Sequence, residues 1–307
     1  MKILAILIAI TLTHLFPMLY RYRGSGWLEK YIRKANNQLS ILPGWAGVTS
    51  VVLLPLIPLV MLWLVMQLSS ALLGNLGIFL LAIVVLLYCF GPRDLDADIK
   101  AYLQAETTAD KCKAMTHLCG PACNTIAGDH EHPIDDQADI LNDSPLMAGA
   151  VFQQALRRWF AIIFWFAIAG IIGALAYRLI EWLSHRALPL SDQQRENFRT
   201  VCSAMEWPVA QLMTLSLAIA ADFDSVYSAW KQYHNEQGHS LFEGDNGFLR
   251  AAACSIVLTG SAGNDGFADQ LENEPHAVVQ QAMDLIWRVM GVWLAVLAIL
   301  LLAGWLN

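Results

Sequence analysis

The sequence predicts an all-α, polytopic integral membrane protein with four to five transmembrane helices and two acidic helical extramembrane segments. Three observations carry that reading. Hydrophobic residues make up 56% of the 307 and charged residues only 15%, where a soluble domain carries about a quarter charged. The mean hydropathy is +0.46. The deficit is concentrated: Ala35 to Pro92 form 58 consecutive residues without Asp, Glu, Lys or Arg, and two charge-free runs of 19 follow, Trp159–Tyr177 and Val289–Asn307. A hydrocarbon core about 30 Å thick is crossed by about 20 apolar helical residues. A soluble enzyme, a secreted disulfide scaffold and a disordered chain are excluded.

Taken in order, Ile3–Phe16 is apolar but short, holds Thr11, Thr13 and His14, and ends at Pro17. Lys2 and this core resemble a signal peptide, yet no small-x-small cleavage site precedes the basic stretch that follows. It reads as an uncleaved helix, embedded or partly spanning, with a full fifth span as the alternative. The 58-residue run must hold at least two helices. The polar break Gln67-Leu68-Ser69-Ser70, followed by Gly74-Asn75, divides it into a hairpin of 44–66 and 71–90. Pro55 and Pro58 each remove a backbone donor from the first arm, so a kink is expected there. The third and fourth spans are 159–177 and 289–305. Trp45, Trp159, Trp182 and Trp305 lie near span ends, as interfacial aromatics do.

Arg21, Arg23, Lys30, Arg33 and Lys34 set five cations against Glu29 before the hairpin, which places that collar in the cytoplasm by the positive-inside rule. The hairpin returns the chain at Gly91-Pro92-Arg93, and Arg157-Arg158 is a second inside marker. The third span would then carry 181–284 across, unless that segment re-enters. Both polar segments are acidic: 91–158 has a net charge of −5 and 181–284 of −9. Neither has the clustered cationic face that a nucleic-acid binder needs. Asp94, Asp96 and Asp98 suit the N-terminus of a helix over 94–105. Ser191-Asp192-Gln193-Gln194 is a capping-box pattern, opening a helix whose Phe198, Val201, Cys202 and Met205 form an apolar stripe. That helix is expected to stop at Trp207-Pro208. Residues 207–221 and 251–264 are apolar but short for a crossing, and read as re-entrant, interfacial or core helices. The glycine-rich stretch 260–266 reads as a loop and lacks the Gly-Lys-Ser/Thr ending of a P-loop.

Three groups of residues could carry chemistry. Cys112, His117, Cys119, Cys123, His130 and His132 offer thiolates and imidazoles suited to tetrahedral zinc. Their spacing lacks a Cys-x-x-Cys knuckle, so ordinary loop residues are the favoured reading and no metal is expected. A disulfide is disfavoured if the segment faces the cytoplasm. Cys89, Cys202 and Cys254 sit in apolar contexts as small hydrophobes. Asp222 and Asp224, after an apolar helix, could hold Mg²⁺ through oxygen, or cap and solvate a helix end. Arg157, Trp165, Tyr177 and Arg178 recur along and beside the third span, where ionisable groups mark sites. The bland alternative is that the two arginines snorkel to opposite headgroup layers. No Ser-His-Asp, paired-carboxylate or zinc-hydrolase motif is present.

Several short motifs resemble the AmpE family of Gram-negative inner-membrane proteins. Phe164-Trp165-Phe166, Gly170 and Ala176-Tyr177-Arg178-Leu179 look like its central span. Leu87-Tyr88-Cys89-Phe90-Gly91-Pro92-Arg93-Asp94 looks like its tyrosine-x-x-glycine-x-x-aspartate exit. Glu206-Trp207-Pro208-Val209-Ala210-Gln211-Leu212 is similar to its acidic-tryptophan-x-proline-x-arginine-leucine segment, and Ala229-Trp230 follows at a fitting distance. The resemblance covers nearly the whole chain as one membrane domain, 1–307. It implies a sensory modulator of β-lactamase induction, linked to the AmpD amidase of cell-wall recycling, in the bacterial inner membrane. A cell-wall-derived or nucleotide ligand would sit between the third span and the 207–221 helix, with Trp207 beside it and Arg157 or Arg178 supplying charge. AmpE is itself similar to CobD/CbiB, a cobinamide-phosphate synthase that uses ATP. Gln211 departs from both families, where arginine is usual. Leu179-Ile180-Glu181-Trp182 replaces the synthase's Asn-Thr-x-Asp-Ser, which favours the non-catalytic relative without a cofactor. ATP and Mg²⁺ enter only under the synthase alternative, and a ligand-free membrane scaffold is the third reading.

Overall fold

A computed structural model describes residues 2–15, 26–39, 45, 47–90, 95–105, 107, 110–111, 114, 144–186, 188–237, 246–262 and 275–304. Among them there is helix and no strand. Three helices are long and apolar enough to cross a membrane: Val48–Cys89, Met147–His185 and His276–Leu300. The described chain divides into two compact units, 1–94 with 161–205 and 297–307, and 95–160 with 206–296.

The first unit contains α1 (Lys2–Leu15), α2 (Gly26–Leu39), α3 (Val48–Cys89), α6 (Ala161–His185) and the first half of α7 (Asp192–Ala220). At 14 residues α1 is about 21 Å long, short of a bilayer core. It buries Ala5, Ile6 and Ala9 and packs on α3 and α6. Helix α3 holds helical dihedrals through the Gln67–Ser70 break and through both prolines; its one departure is Gly74, at φ 59° and ψ −140°. There the chain folds back. A straight helix would put Leu54 and Tyr88 about 50 Å apart. Instead, Tyr31 Oη donates to the Leu54 carbonyl at 3.0 Å and Trp27 Nε1 donates to Tyr88 Oη at 2.6 Å, both from adjacent turns of α2. The sequence-expected hairpin is therefore present, with its turn at the glycine rather than at the serines. Ser70 stays in the helix by donating to the Gln67 carbonyl.

The first contact also bears on the prolines, where the backbone dihedrals stay helical. Leu54 lies four residues before Pro58, so its carbonyl has lost its helical donor, and the Tyr31 hydroxyl replaces it. Tyr31→Phe leaves that carbonyl unpartnered and is expected to cost about 1–3 kcal/mol in a thermal or denaturant melt. An unchanged melt would show that the helix does not depend on this bond.

Helix α6 repeats the device. The sequence predicts an unbroken third span, yet Gly170 has φ 65° and ψ −150°. The following Gly-x-x-Gly spacing is shared: Gly77 lies against Ser69, and Gly173 against the Trp165 carbonyl, each eight residues upstream. Such contacts are out of reach in a straight helix, so the first two charge-free runs turn on Gly-x-x-Gly bends. A run of apolar residues does not distinguish a straight crossing from a bent one. Lys2 Nζ lies 3.4 Å from the Ala167 carbonyl, in the last turn before the bend, where carbonyls lose helical partners. Trp165 Nε1 donates to the Met205 carbonyl at 3.3 Å, while Leu179, Trp182 and Leu183 share a buried core with Phe198 and Cys202. Both arms of α6 thus lie along the same stretch of α7.

That stretch begins with the expected capping box. Gln194 N–H donates to Ser191 Oγ at 3.3 Å, and Ser191 N–H to Gln194 Oε1 at 3.1 Å. Gln194 Nε2 then ties the cap to the Trp45 carbonyl at 3.1 Å. The expected stop at Trp207-Pro208 does not occur: α7 runs through Pro208 to Ala220. The preference against helix before proline is local and yields here to packing, with Val209, Ala210 and Met213 fully buried beyond it.

The second unit contains α4 (Leu95–Leu103), α5 (Ser144–Ala155), a π-helical turn (Leu156–Phe160), the remainder of α7, α8 (Phe223–Gln237), α9 (Gly247–Ala262) and α10 (Pro275–Leu302) up to Val296. Helix α9 packs against α5 and α8. Trp159 and Phe160 meet Trp287 and Trp293 of α10 at ring distances of 5.3 and 5.1 Å. Residues 260–262 of the expected glycine-rich loop belong to α9; the rest of that loop lies outside the described residues, as do Arg21, Arg23, the 91–94 exit and Trp305.

Candidate functional site

In the second unit the π-helical turn sets Arg157 and Arg158 toward different acids. Arg157 Nε donates to Glu206 at 3.0 and 3.4 Å, and Arg158 reaches Asp98 at 2.6 Å. The expected N-terminal acid Asp98 is therefore 4% exposed and ion-paired rather than solvated. Glu206 is 1% exposed. It also accepts from Gln153 Nε2 at 3.4 Å and Asn246 Nδ2 at 3.1 Å. Asn246, just before α9, turns its amide toward this carboxylate and leaves its buried Oδ1 without a partner. One carboxylate thereby joins α5, the π-helical turn, α7 and the start of α9. Burying a charge is costly unless it is paired and hydrogen-bonded, so this junction holds the unit to one arrangement.

A cleft of about 450 Å³ opens elsewhere in the same unit. It is lined by the apolar Ala221, Ile256, Val257 and Leu285 and by the polar Asp222, Ser225, Gln281, Asp284 and Arg288. Asp222 caps α8: Ser225 donates to its Oδ2 from backbone N–H at 3.1 Å and from Oγ at 2.5 Å. These bonds, the hydroxyl first, hold its carboxyl below the ordinary range, so it stays charged to lower pH than a free aspartate. The expected helix-end role of Asp222 is present, and the same cap fixes a carboxylate that lines the cleft. Asp224 is exposed within α8 and does not line the cleft.

In the first unit Tyr177 and Arg178 are 0% and 3% exposed. Arg178 pairs with Glu181 at 3.1 Å rather than snorkelling outward. Two guanidinium groups lie over the Trp182 ring, Arg178 at 5.1 Å and Arg186 at 4.6 Å from its centroid, and Tyr88 meets it edge-on at 5.5 Å. Burial pushes the Arg186 guanidinium below its ordinary pKa; Glu181 opposes that shift and Arg178 reinforces it.

The residues expected to surround one ligand thus divide. Trp165, Tyr177 and Arg178 belong to the first unit; Arg157, Trp207, Asp222 and Asp224 belong to the second. Sequence reasoning did not single out Glu206, Asp98, Asp284 or Arg288 as site residues. A signal existed for Glu206, the lone charged residue between Arg199 and Asp222. Cys112, His117, Cys119, Cys123, His130 and His132 lie outside the described residues. Among the described residues no group of three or more potential metal ligands forms. Cys89 and Cys202 are buried thiols and Cys254 is partly buried.

A family model described as "Regulatory signalling modulator protein AmpE" matches residues 1–240. The comparisons with curated proteins and with solved structures match nothing. The match covers well over half of the chain, which therefore belongs to the AmpE family.

Proposed function

We propose that this AmpE-family chain is an inner-membrane modulator of β-lactamase induction that reads a zwitterionic, cell-wall-derived peptide fragment in the cleft of its second unit. The observation that carries this reading is the lining of that cleft: Asp222 and Asp284 offer two carboxylates, Arg288 a guanidinium, and Ile256, Val257 and Leu285 apolar contact. Its volume lies within the range of small-molecule sites, about 300–1,000 Å³. Two carboxylates suit an ammonium and one guanidinium suits a carboxylate, groups that a cell-wall peptide carries together. An unaccompanied nucleotide polyphosphate would face repulsion from both acids, which favours the peptide over the nucleotide. Ala221, Asp222 and Ser225 fall within the residues matched by the family, and the remaining lining follows it.

The test is complementation of a deletion strain carrying an inducible β-lactamase. Asp222→Asn keeps an N-cap of equal quality but removes a charge, and Asp284→Asn removes the other. Wild type is expected to restore the normal induction response, and the double variant to fail at equal membrane abundance. Full restoration by the double variant would refute the reading. A cobalamin-assembly mutant rescued by wild type would favour the synthase alternative. Intact induction after joint replacement of Arg157, Tyr177 and Arg178 would instead fit the scaffold.

A further inference from the structure

We propose that the cleft of the second unit lies at the bilayer boundary and takes the headgroup of a phospholipid with a primary ammonium beside its phosphate, phosphatidylethanolamine. The inference goes beyond the reading proposed above and shares with it only the cleft and its charges. Asp222, Asp284 and Arg288 all line that cleft and all three are exposed, so a headgroup reaches them without moving the chain. Asp284 and Arg288 are four apart on α10 and therefore share a face.

Two charge-free runs meet at this cleft. Residues 207–221 carry no Asp, Glu, Lys or Arg and end at Asp222, while α10 carries none after Arg288. Both runs leave the cleft on the same side. Arg157 meets Glu206, at the far end of the α7 run, and Phe160, three residues on, meets Trp293. Helix α10 therefore runs from the Asp222 end of α7 back toward its Glu206 end. Along the α7 run Leu212, Leu215 and Ile219 are exposed, and their spacing puts them on one face. An uncharged apolar face of this kind marks an interaction surface. Beside the charged residues, Phe223 and Tyr227 stack at 6.0 Å on α8 and are exposed, as is Trp287 between Asp284 and Arg288. Aromatics between charges and an apolar face are the pattern of a headgroup layer.

The charges of the cleft select among headgroups. A primary ammonium donates hydrogen bonds that the Asp222 and Asp284 carboxylates accept, and Arg288 suits the phosphate. Phosphatidylcholine carries the same two charges, but its quaternary ammonium has no N–H to donate. Phosphatidylglycerol has no cation and would meet two carboxylates with only one guanidinium to offset them. The acyl chains distinguish a lipid from a soluble zwitterion, because they can follow the exposed face of Leu212, Leu215 and Ile219 away from the cleft.

The experiment titrates full-length protein in neutral detergent with each of these three lipids, and with glycerophosphoethanolamine, the same headgroup without acyl chains. Bound molecules are counted by native mass spectrometry. Wild type is expected to hold phosphatidylethanolamine about tenfold more tightly than either other lipid, the equivalent of one charge-assisted contact. Asp222→Asn/Asp284→Asn should lose the preference over phosphatidylcholine, while Arg288→Gln should weaken both of these lipids and leave their ratio unchanged. Equal affinity of wild type for phosphatidylethanolamine and phosphatidylcholine, a comparison that needs no variant, would overturn the proposal. So would a preference that survives in the double variant. Glycerophosphoethanolamine binding as tightly as the lipid would overturn the bilayer source. The lipid counts involve no peptide, so their failure leaves the peptide reading standing, and a failure of peptide binding leaves the lipid preference standing.

Discussion

Gly173→Ala is expected to remove most of the folded protein from the membrane fraction, whereas Gly291→Ala is expected to be harmless. A methyl group on Gly173 would overlap the Trp165 carbonyl oxygen and the Ala169 side chain. The first is backbone, so relief requires opening the bend itself. At Gly77 the added carbon would sit 2.5 Å from the Ser69 carbonyl and 2.6 Å from its hydroxyl. The partner glycines fail for a different reason. Gly74 and Gly170 have open space around them but φ of +59° and +65°, combined with ψ of −140° and −150°. Non-glycine residues in sparsely populated regions cost about 1–3 kcal/mol, and overpacking costs about 1–3 kcal/mol as well. Native stability is about 5–15 kcal/mol, so either glycine in a bend spends a large fraction of it. Gly291 has nothing within 4 Å of a built Cβ and lies in α10, where alanine is the better helix former by about 1 kcal/mol. Equal yields and melting points for Gly173→Ala and Gly291→Ala would show that α6 does not bend tightly at this position.

The second large effect is expected at Glu206. Glu206→Ala strips the acceptor shared by Gln153, Arg157 and Asn246, leaving a guanidinium with 16% side-chain exposure beside a new cavity. Breaking a buried ion pair by removing one partner costs about 3–5 kcal/mol. Glu206→Gln keeps the shape and one acceptor oxygen but loses the charge and turns an NH2 donor toward the surrounding donors, so it should fall between alanine and wild type. Arg157→Met together with Glu206→Leu should recover much of the loss, since an apolar pair of similar volume can replace an ion pair. Urea or thermal melts of wild type, Arg157→Met, Glu206→Leu and the double variant make a double-mutant cycle. A Glu206→Ala loss below about 1 kcal/mol would place the pair among those that contribute little.

Local signals were legible in the sequence wherever the partner was close in the chain. The Ser191–Gln194 cap forms as its residue types require, and Phe198 and Cys202 bury the stripe that their spacing predicts. The hairpin of α3 is present because 58 charge-free residues have no other arrangement in a bilayer. What stayed hidden depends on distant contacts. Gly170 reads as one more small residue in an apolar run, because nothing local distinguishes a bend from a crossing. Pro208 reads as a stop, and packing beyond it carries α7 onward. Glu206 and Asp98 find their arginines 49 and 60 residues away, a separation that no periodicity encodes. Asp284 and Arg288 sit on the polar flank of an otherwise apolar helix, where a solvated face is the ordinary reading.

The proposal that the second unit reads a zwitterionic fragment is tested most directly by calorimetric titration of the full-length protein in neutral nanodiscs. The ligand is a cell-wall stem peptide bearing a free ammonium and a free carboxylate. Wild type should bind saturably, with affinity retained down to the pH at which Asp222, held below the ordinary aspartate range, takes up its proton. Asp222→Asn/Asp284→Asn should lose at least about tenfold, the equivalent of one charge-assisted contact. No heat of binding to wild type, or the same affinity in the double variant, would contradict it.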